Sequence, residues 1–175
     1  TDGNNSQGLP SSSYDNMINL LSNQDDYKFN LLITPGLFNS LQTSQATSII
    51  NNTQNRGDNI FVLDLVPYNI SSLAAVTTQS NSRNTSYAAS YWPWVQTIDP
   101  DSGQLVWVPA STLVAGVYAY NDRVSETWFA PAGINRGGLT SVVRASQKLS
   151  EASRNTLYSN KVNPIATFPG TGVVV

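Results

Sequence analysis

Residues 87–139 read YAASYWPWVQTIDPDSGQLVWVPASTLVAGVYAYNDRVSETWFAPAGINRGGL, and the rest of the chain is organised around them. This stretch holds all four tryptophans and half of the eight tyrosines. A hairpin, a helix of small residues and an exit rich in proline and glycine follow one another within it. It contains no histidine, no cysteine and no glycine loop of the kind that cradles phosphate. Aromatic area without reactive groups is typical of a segment that packs inside a protein and against other proteins.

The composition indicates one domain with little surface charge. The chain has 175 residues, enough to bury one substantial core. Charged residues make up 11% of it, against about a quarter in an average protein, and the net charge is −2. Low net charge favours association between protein molecules. The nine lysines and arginines are scattered along the chain, so we expect no nucleic-acid partner.

The absent residue types exclude several kinds of chemistry. Without cysteine there are no disulfides, thiolate metal sites or cysteine nucleophiles. Without histidine the commonest general base and the commonest metal ligand are missing as well. No apolar run approaches the roughly 20 residues that cross a bilayer, so we expect no membrane insertion. These absences leave carboxylates as the candidate catalytic groups.

The first half of the chain has the pattern of a strand, a helix and a second strand. Residues 29–33 and 60–66 are continuous apolar runs, typical of strands covered on both faces. Thr34-Pro35-Gly36 predicts a loop after the first run, and apolar residues recur at helical spacing from Leu37 onwards. Asn55-Arg56-Gly57 predicts the end of that helix. Short connections between these elements predict parallel strands joined by a right-handed crossover.

The full prediction is an α/β fold. It is a mixed, largely parallel sheet flanked by helices, from which one β-hairpin projects. Residues 1–13 are expected to form an N-terminal arm or linker, and residues 14–175 a single domain. The other predicted elements are a helix capped by Ser13, a helix at 71–79, a strand at 87–92, hairpin strands at 95–98 and 104–108, a helix at 111–120 capped by Ser111, a strand at 139–143, a helix capped by Ser150 and ending near Ser159, and strands at 165–168 and 170–175.

Carboxylates support one alternative function, a metal-dependent enzyme. Asp58, Asp64 and Asp122 are the candidate ligands, and Asp64 lies in an apolar strand near the end where open α/β sheets bind ligands. A buried carboxylate needs a partner, because an isolated buried charge is costly. The competing interpretation therefore pairs Asp64 with Arg56 or lets it cap a following helix.

Aromatic residues support a second alternative, a carbohydrate-binding module. Trp92, Trp94 and Trp107 are the candidates for a flat platform on which a sugar could stack. A core that continues into a protein interface is the commoner use of such a cluster.

Ordered motifs across nearly the whole chain resemble those of the contractile tail sheath proteins of myovirus-type phages. Upstream of the aromatic stretch the similarity includes Pro35-Gly36 and Arg56-Gly57-Asp58, and downstream it includes Phe168-Pro169-Gly170. Within the aromatic stretch the motifs are Pro93-Trp94, Asp99-Pro100, Trp107-Val108-Pro109, Val114-Ala115-Gly116, Ala130-Pro131-Ala132-Gly133 and Asn135-Arg136-Gly137.

This resemblance implies a structural role without enzymatic activity or cofactor. It implies an inner sheath domain that packs around the tail tube, in six-subunit rings stacked as a helical array. Contraction of such a sheath drives the tube through the host envelope during genome ejection. The implied partners are further copies of the chain, the tail tube protein, and the baseplate and tail terminator proteins. The implied location is the virion, after assembly in the host cytoplasm.

The resemblance also suggests where contacts between subunits lie. We predict contacts to neighbouring subunits or to the tube at Asp122, Arg123, Glu126, Trp128 and Arg136. For Asp122, Arg123 and Glu126, a surface cluster of ion pairs is the competing interpretation. Sheath proteins exchange terminal strands with their neighbours, which points to residues 1–13 and to Gly172, Val173, Val174 and Val175. Sheath proteins continue past the equivalent of Val175 through another strand, a helix and an arm, so we expect the domain to be truncated before these.

Overall fold

The computed structural model describes residues 8–175, which form five helices and ten short strands. The helices are α1 (Ser11–Leu21), α2 (Thr43–Arg56), α3 (Leu73–Asn81), α4 (Ala110–Val124) and α5 (Glu151–Ser159). The strands are β1 (Leu31–Phe38), β2 (Ile60–Asp64), β3 (Ala88–Ala89), β4 (Tyr91–Trp92), β5 (Val95–Ile98), β6 (Leu105–Val108), β7 (Val142–Ala145), β8 (Asn163–Pro164), β9 (Ala166–Phe168) and β10 (Gly172–Val174).

The predicted unit of strand, helix and strand is confirmed as β1, α2 and β2. The two strands are parallel, and Leu31 lies opposite Ile60. Helix α2 ends at Gly57, whose φ of 71° lies in the left-handed region that glycine adopts without steric cost. The Gly57 N–H donates to the Thr53 carbonyl at 2.9 Å and closes the helix.

The predicted loop at Thr34-Pro35-Gly36 is wrong, because β1 continues through these residues to Phe38. Between Ile33 and Phe38 this strand advances five residues, while the paired residues of β2 advance only two. Such a bulge accommodates Pro35, which has no N–H for a regular ladder. It also places Gly36 at a φ of 91°. Leu37, expected in the helix, is fully buried in the strand instead.

The predicted strand at residues 87–92 is divided at Ser90 into β3 and β4. The Tyr87 carbonyl accepts the Phe61 N–H of β2, and the Ser90 carbonyl accepts the Asn163 N–H of β8. Carbonyls an odd number of residues apart in extended chain point to opposite sides. β2 and β8 therefore flank this segment, and the parallel strands follow the order β1, β2, β3 with β4, and β8.

The antiparallel strands form two smaller units. β5 and β6 are the predicted hairpin, which is confirmed, and β7 pairs with the other edge of β5. Gly103, with φ of 69°, allows the turn between β5 and β6. β9 and β10 form a second antiparallel pair. The predicted mixed α/β fold is confirmed, but its strands are divided among four short ladders.

The ends of three helices test the predicted caps. The hydroxyl of Ser150 accepts the Ser153 N–H at 3.2 Å, as predicted for α5. Helix α1 begins at Ser11, inside the expected arm, so Ser13 is not its cap; residues 1–7 of that arm lie outside the described residues. Helix α4 begins one residue before Ser111, whose hydroxyl donates to another element.

Two hydrophobic clusters lie on opposite faces of the parallel strands. Phe61 and Leu63 of β2 belong to one cluster and Val62 to the other, as the alternation of side chains along a strand requires. The first cluster packs against α1, α2, α3 and α5, which we call the α3 face. The second packs against α4 and the strands β5, β6, β7 and β10, which we call the α4 face. No helix in the described chain is long and apolar enough to cross a membrane.

Candidate assembly surface

The end of α4 and the segment after it carry several exposed apolar side chains. They are Tyr120, Val124, Trp128, Phe129 and Ile134. We call the region they occupy, residues 120–136, the 120–136 surface. Trp128 is 77% exposed, the highest value among the large apolar side chains of the described residues. Exposed tryptophan, tyrosine and phenylalanine near arginine are the composition of protein–protein interface cores.

Ring contacts order this surface. The ring centroids of Trp128 and Phe129 lie 6.2 Å apart, in a tilted arrangement. The guanidinium carbon of Arg136 lies 4.8 Å from the centroid of Phe129, and that of Arg123 lies 5.5 Å from the centroid of Tyr120. Each cation–π contact of this kind is worth about 0.5–1 kcal/mol at exposed sites. The two arginines therefore hold aromatic rings while their charge remains available at the surface.

Hydrogen bonds to backbone carbonyls fix the segment that carries the surface. The buried Asn121 side chain donates from Nδ2 to the Phe129 carbonyl at 3.1 Å. The Gly133 N–H donates to the Val175 carbonyl at 2.8 Å, and the Val175 N–H donates to the Gly137 carbonyl at 2.9 Å. A Cβ on Gly137 would lie 2.7–2.9 Å from backbone atoms of three residues, so the close approach requires glycine. The surface is thus anchored to α4 at one end and to the chain around β10 at the other.

The five residues predicted as contacts all belong to the 120–136 segment. Asp122 and Arg123 are in the last turn of α4, and Glu126 and Trp128 follow it. All four are exposed, whereas Arg136 is half-buried against Phe129. No ion pair joins Asp122, Arg123 or Glu126 to another side chain of the described chain, so the structure does not support the alternative of a surface ion-pair cluster. Their contact with neighbours stays a prediction.

The predicted strand-exchange residues are paired within their own chain. Gly172 to Val174 form β10, whose partner on one side is β9. On the other side, the Leu139 N–H donates to the Val173 carbonyl at 2.9 Å. Val173 and Val174 are buried, and Val175 is half-buried beside the chain that carries the 120–136 surface. Exchange of these residues between subunits stays a prediction.

The three carboxylates of the metal-enzyme alternative are not brought together. The described residues contain no group of three or more acidic side chains that could hold a metal ion. Asp58 pairs with Arg56 at 2.8 Å, so the expected pair of Arg56 with Asp64 is wrong. The hydrogen bond from Arg56 holds the pKa of Asp58 below its usual value. Asp122 lies on the exposed end of α4.

Asp64 is instead bound to the start of α4. This confirms the second of the two expected roles of Asp64, which was to cap a following helix. Its carboxylate accepts the Ser111 hydroxyl at 2.6 Å and the Ser111 N–H at 3.3 Å. Free N–H groups and the helix dipole favour a carboxylate in this position. Burial nevertheless raises the pKa of Asp64 to about 7, because the two hydrogen bonds offset only part of the cost of removing the charge from water.

The tryptophans of the carbohydrate-binding alternative do not form a platform. Trp92 is buried in the core of the α3 face. Trp94 donates its indole N–H to the Val66 carbonyl at 3.1 Å. Trp107 lies between Tyr68, at 5.3 Å between ring centroids, and the guanidinium of Arg144, at 5.4 Å. These residues therefore use their ring surfaces within the chain.

Comparison with known proteins assigns the chain to a family. The profile of the phage tail sheath protein central domain matches residues 12–175. The chain is 37% identical over 92 residues to the tail sheath protein of Vibrio phage KVP40, which covers 53% of this chain and 14% of that protein. It is 39% identical over 69 residues to the tail sheath protein of Enterobacteria phage T4, which covers 39% of this chain and 10% of that protein.

Solved structures agree on the fold. A chain of the anti-feeding prophage baseplate, determined by cryo-electron microscopy, superposes with a TM-score of 0.70 at 22% identity, over 95% of this chain and 42% of that one. A chain of the contracted helical sheath of the same prophage superposes with a TM-score of 0.67 at 21% identity, over 99% of this chain and 47% of that one. The present chain thus spans less than half the length of the proteins it matches. It belongs to the phage tail sheath protein family and corresponds to the central domain of that family.

Proposed function

We propose that this chain is part of the structural subunit of a contractile phage tail sheath. The subunit polymerises around the tail tube and contracts to drive the tube through the host envelope during genome ejection. The observation that carries this proposal is the match of residues 12–175 to the sheath central domain. The likeness of the whole chain to a subunit of a contracted helical sheath supports the same fold and assembly. The virion is the corresponding location.

The proposed partners are further copies of the subunit, arranged as six-subunit rings in a helical array, together with the tube, baseplate and tail terminator proteins. The low charge of the chain supports dense packing of copies, because few like charges oppose it. Contraction requires contacts that can be exchanged for a more stable set after a trigger. Small polar contacts around an apolar centre suit that requirement, since each is weak and their sum is large.

We assign the 120–136 surface to contacts with neighbouring subunits or with the tube. The exposed ring of Trp128 contacts Phe129, which Arg136 covers, and the same segment of chain carries Asp122, Arg123 and Glu126. Asp122, Arg123 and Glu126 are exposed and form no ion pair among the described residues, so they are free to pair with charges of another subunit. A polar rim around an aromatic centre is also the usual anatomy of a protein interface.

Residues 1–13 and 172–175 are proposed to lead into the arms that relatives exchange. Strand addition to an open edge would join such arms to the sheet of a neighbour. Residues 14–175 are proposed to act as one domain between these segments. An enzymatic role has little support, because Asp58 is engaged by Arg56 and Asp64 by Ser111.

A charge reversal tests the surface assignment. In the full-length sheath protein that contains this chain, Arg123→Glu should raise the protein concentration needed for assembly about tenfold or more, because it places like charges at an interface. Lys148→Glu is the matched control, since it reverses an exposed charge elsewhere. Sedimentation of assembled protein measures both. If Arg123→Glu assembles as readily as Lys148→Glu, Arg123 does not lie in the interface.

A further inference from the structure

A small polar pocket lies on the α3 face, between the end of α3 and the start of β8. Its volume is about 40 Å³, and two cations, Arg83 and Lys161, line it. Ser80, Thr85 and Ser90 line it as well. A water molecule needs about 10–15 Å³ of such volume, so the pocket has room for about three waters. It therefore suits a group no larger than a phosphate or a carboxylate.

Arg83 carries a charge that no acidic group of the described residues balances. Its guanidinium donates to three neutral acceptors, which are the Asn39 side chain at 2.8 Å, the Thr47 hydroxyl at 2.6 Å and the Thr43 carbonyl at 2.9 Å. These bonds use three of the five N–H donors of an arginine and leave two. Arg83 forms no ion pair among the described residues. Burial lowers the pKa of Arg83, because the guanidinium has lost water without gaining a negative partner.

Lys161, the second cation, has an uncommon backbone conformation. Its φ of 65° is the only positive φ at a non-glycine residue of the described chain. Glycine adopts this conformation without steric cost, so a lysine here indicates that the side chain is used. Among the described residues its ammonium makes one bond, to the Asn84 side-chain oxygen at 3.4 Å. An ammonium has three N–H donors, so two remain for a ligand.

Two buried hydroxyls beside Lys161 are weakly bonded. Ser80 and Ser90 both donate to the Lys161 carbonyl, at 3.4 Å and 3.3 Å. Hydrogen bonds from a hydroxyl to an oxygen are usually about 2.7–2.8 Å long, so both bonds are stretched. One hydroxyl satisfies the carbonyl, and the other can turn to an acceptor in the pocket.

No acidic side chain of the described residues lines the pocket. Residues 65–98 and 152–175, which supply most of its lining, contain no aspartate or glutamate. Asp64 lies between two leucines of the lining, but its carboxylate is bound to Ser111 on the α4 face. The pocket therefore combines two positive charges with unused donors and has no negative group of its own.

We propose that this pocket binds one oxyanion, a phosphate or a carboxylate group, between the Arg83 guanidinium and the Lys161 ammonium, with Ser80 or Ser90 donating a further hydrogen bond. Hydrogen bonds between such charged groups are about twice as strong as bonds between neutral ones. The oxyanion has two possible sources, a free inorganic ion and an acidic side chain of a second copy of the chain. The site itself does not depend on the proposed function.

Titration of the full-length sheath protein with inorganic phosphate tests the site. Calorimetry at constant ionic strength, below the concentration at which the protein assembles, measures the Kd. Lys161→Gln removes one charge at nearly constant length and should raise the Kd about tenfold or more. Ser90→Ala removes one hydroxyl and should raise the Kd severalfold. Lys148→Gln is the matched control and should leave the Kd unchanged, because Lys148 is exposed and does not line the pocket.

Thermal unfolding gives a second readout. Phosphate stabilises proteins in general because it is excluded from their surface, so the comparison between variants carries the information. Added phosphate should raise the melting temperature of the wild type and of Lys148→Gln more than that of Lys161→Gln. Equal melting temperatures in the absence of phosphate would show that the variants are folded alike.

The outcomes decide both the site and the source of its ligand. Weaker phosphate binding by Lys161→Gln, with Lys148→Gln unaffected, supports the site. No saturable binding by the wild type, or equal binding by Lys161→Gln, overturns it. If phosphate and Lys161→Gln each raise the protein concentration needed for assembly, the ligand in the assembly is an acidic side chain of a second copy; if neither does, it is a free ion. A protein that binds phosphate and never assembles would contradict the proposed function and leave this site standing.

Discussion

Replacement of Asp64 by asparagine should remove a pH dependence from the stability of this domain. Asp64 is 6% exposed, and Ser111 is the only polar partner of its carboxyl among the described residues. Burial raises its pKa from 3.8 to about 7. Asparagine has nearly the same shape, keeps an oxygen that can accept the Ser111 hydroxyl and carries no charge at any pH. The substitution therefore isolates the cost of ionising this position.

The size of the effect follows from linkage between protonation and folding. Below about pH 4 the carboxyl is protonated in the folded and the unfolded chain. Between about pH 4 and pH 7 the unfolded chain loses this proton and the folded chain keeps it, so the free energy of unfolding falls as the pH rises. A pKa difference of one is worth about 1.4 kcal/mol, so a rise from 3.8 to about 7 corresponds to a loss of about 4 kcal/mol, complete above pH 7.

Urea unfolding at pH values from about 4 to 8, followed by tryptophan fluorescence, measures this effect. From about pH 4 to pH 8, the free energy of unfolding of Asp64→Asn should rise relative to that of the wild type by about 4 kcal/mol. Asp58→Asn is the control with the opposite sign, and its series extends down to about pH 2, because a lowered pKa acts below the unfolded value of 3.8. The pKa of Asp58 is lowered by Arg56, so wild-type Asp58 contributes stability that is present above its unfolded pKa and lost as the pH falls. If the difference in free energy of unfolding between Asp64→Asn and the wild type did not change with pH, the conclusion that Asp64 is a buried ionisable group would be refuted.

Three further substitutions test the packing. Gly137→Ala should destabilise the domain by about 1–3 kcal/mol, because the added Cβ would lie within 2.9 Å of backbone atoms. The Cβ of Gly138→Ala would lie in open space, so this control should change the stability little. Thermal unfolding of the two variants measures the difference. Leu157→Ala should cost about 2–5 kcal/mol as a cavity in the core, while Tyr158→Ala beside it should stay within about 0.5 kcal/mol in urea unfolding. Arg56→Ala should lower the free energy of unfolding by about 2 kcal/mol or more, because the carbonyls at the end of α1 and before β1 lose their donor. Amide hydrogen exchange in α1 should become faster for the same reason. Unchanged exchange in α1 would contradict this role of Arg56.

Local signals in the sequence predicted much of the fold correctly. The end of α2 at Gly57, the turn at Gly103 and the cap at Ser150 each depend on a backbone conformation or a hydrogen bond within a few residues. Such features are readable from one segment at a time. The parallel pairing of β1 with β2 was predictable too, because a single helix joins them.

The errors lie where distant contacts override local preference. Pro35 and Gly36 usually end a strand, yet pairing with β2 carries β1 past them through a bulge. Ser90 lies in an apolar run that looks continuous, yet β2 and β8 pair with different parts of it. Ser111 has the residue type of a helix cap, but the buried Asp64 engages its hydroxyl. None of these partners is near in sequence.

The candidate surface was predictable in part. Family resemblance indicated the polar residues and Trp128, but not that Phe129 and Ile134 would be exposed beside them. Exposure depends on what the rest of the chain leaves uncovered, which no local pattern reports.

The most direct test is electron microscopy of the full-length sheath protein expressed without its phage partners. If the chain exists to pack against copies of the same subunit around a tube, the wild type should form long striated hollow cylinders built from stacked six-subunit rings. The cylinders should place the 120–136 surface between subunits or on the wall of the lumen, where the tube would lie. A protein that remains monomeric at high concentration would contradict the account, as would a cylinder in which this surface faces the outer solvent.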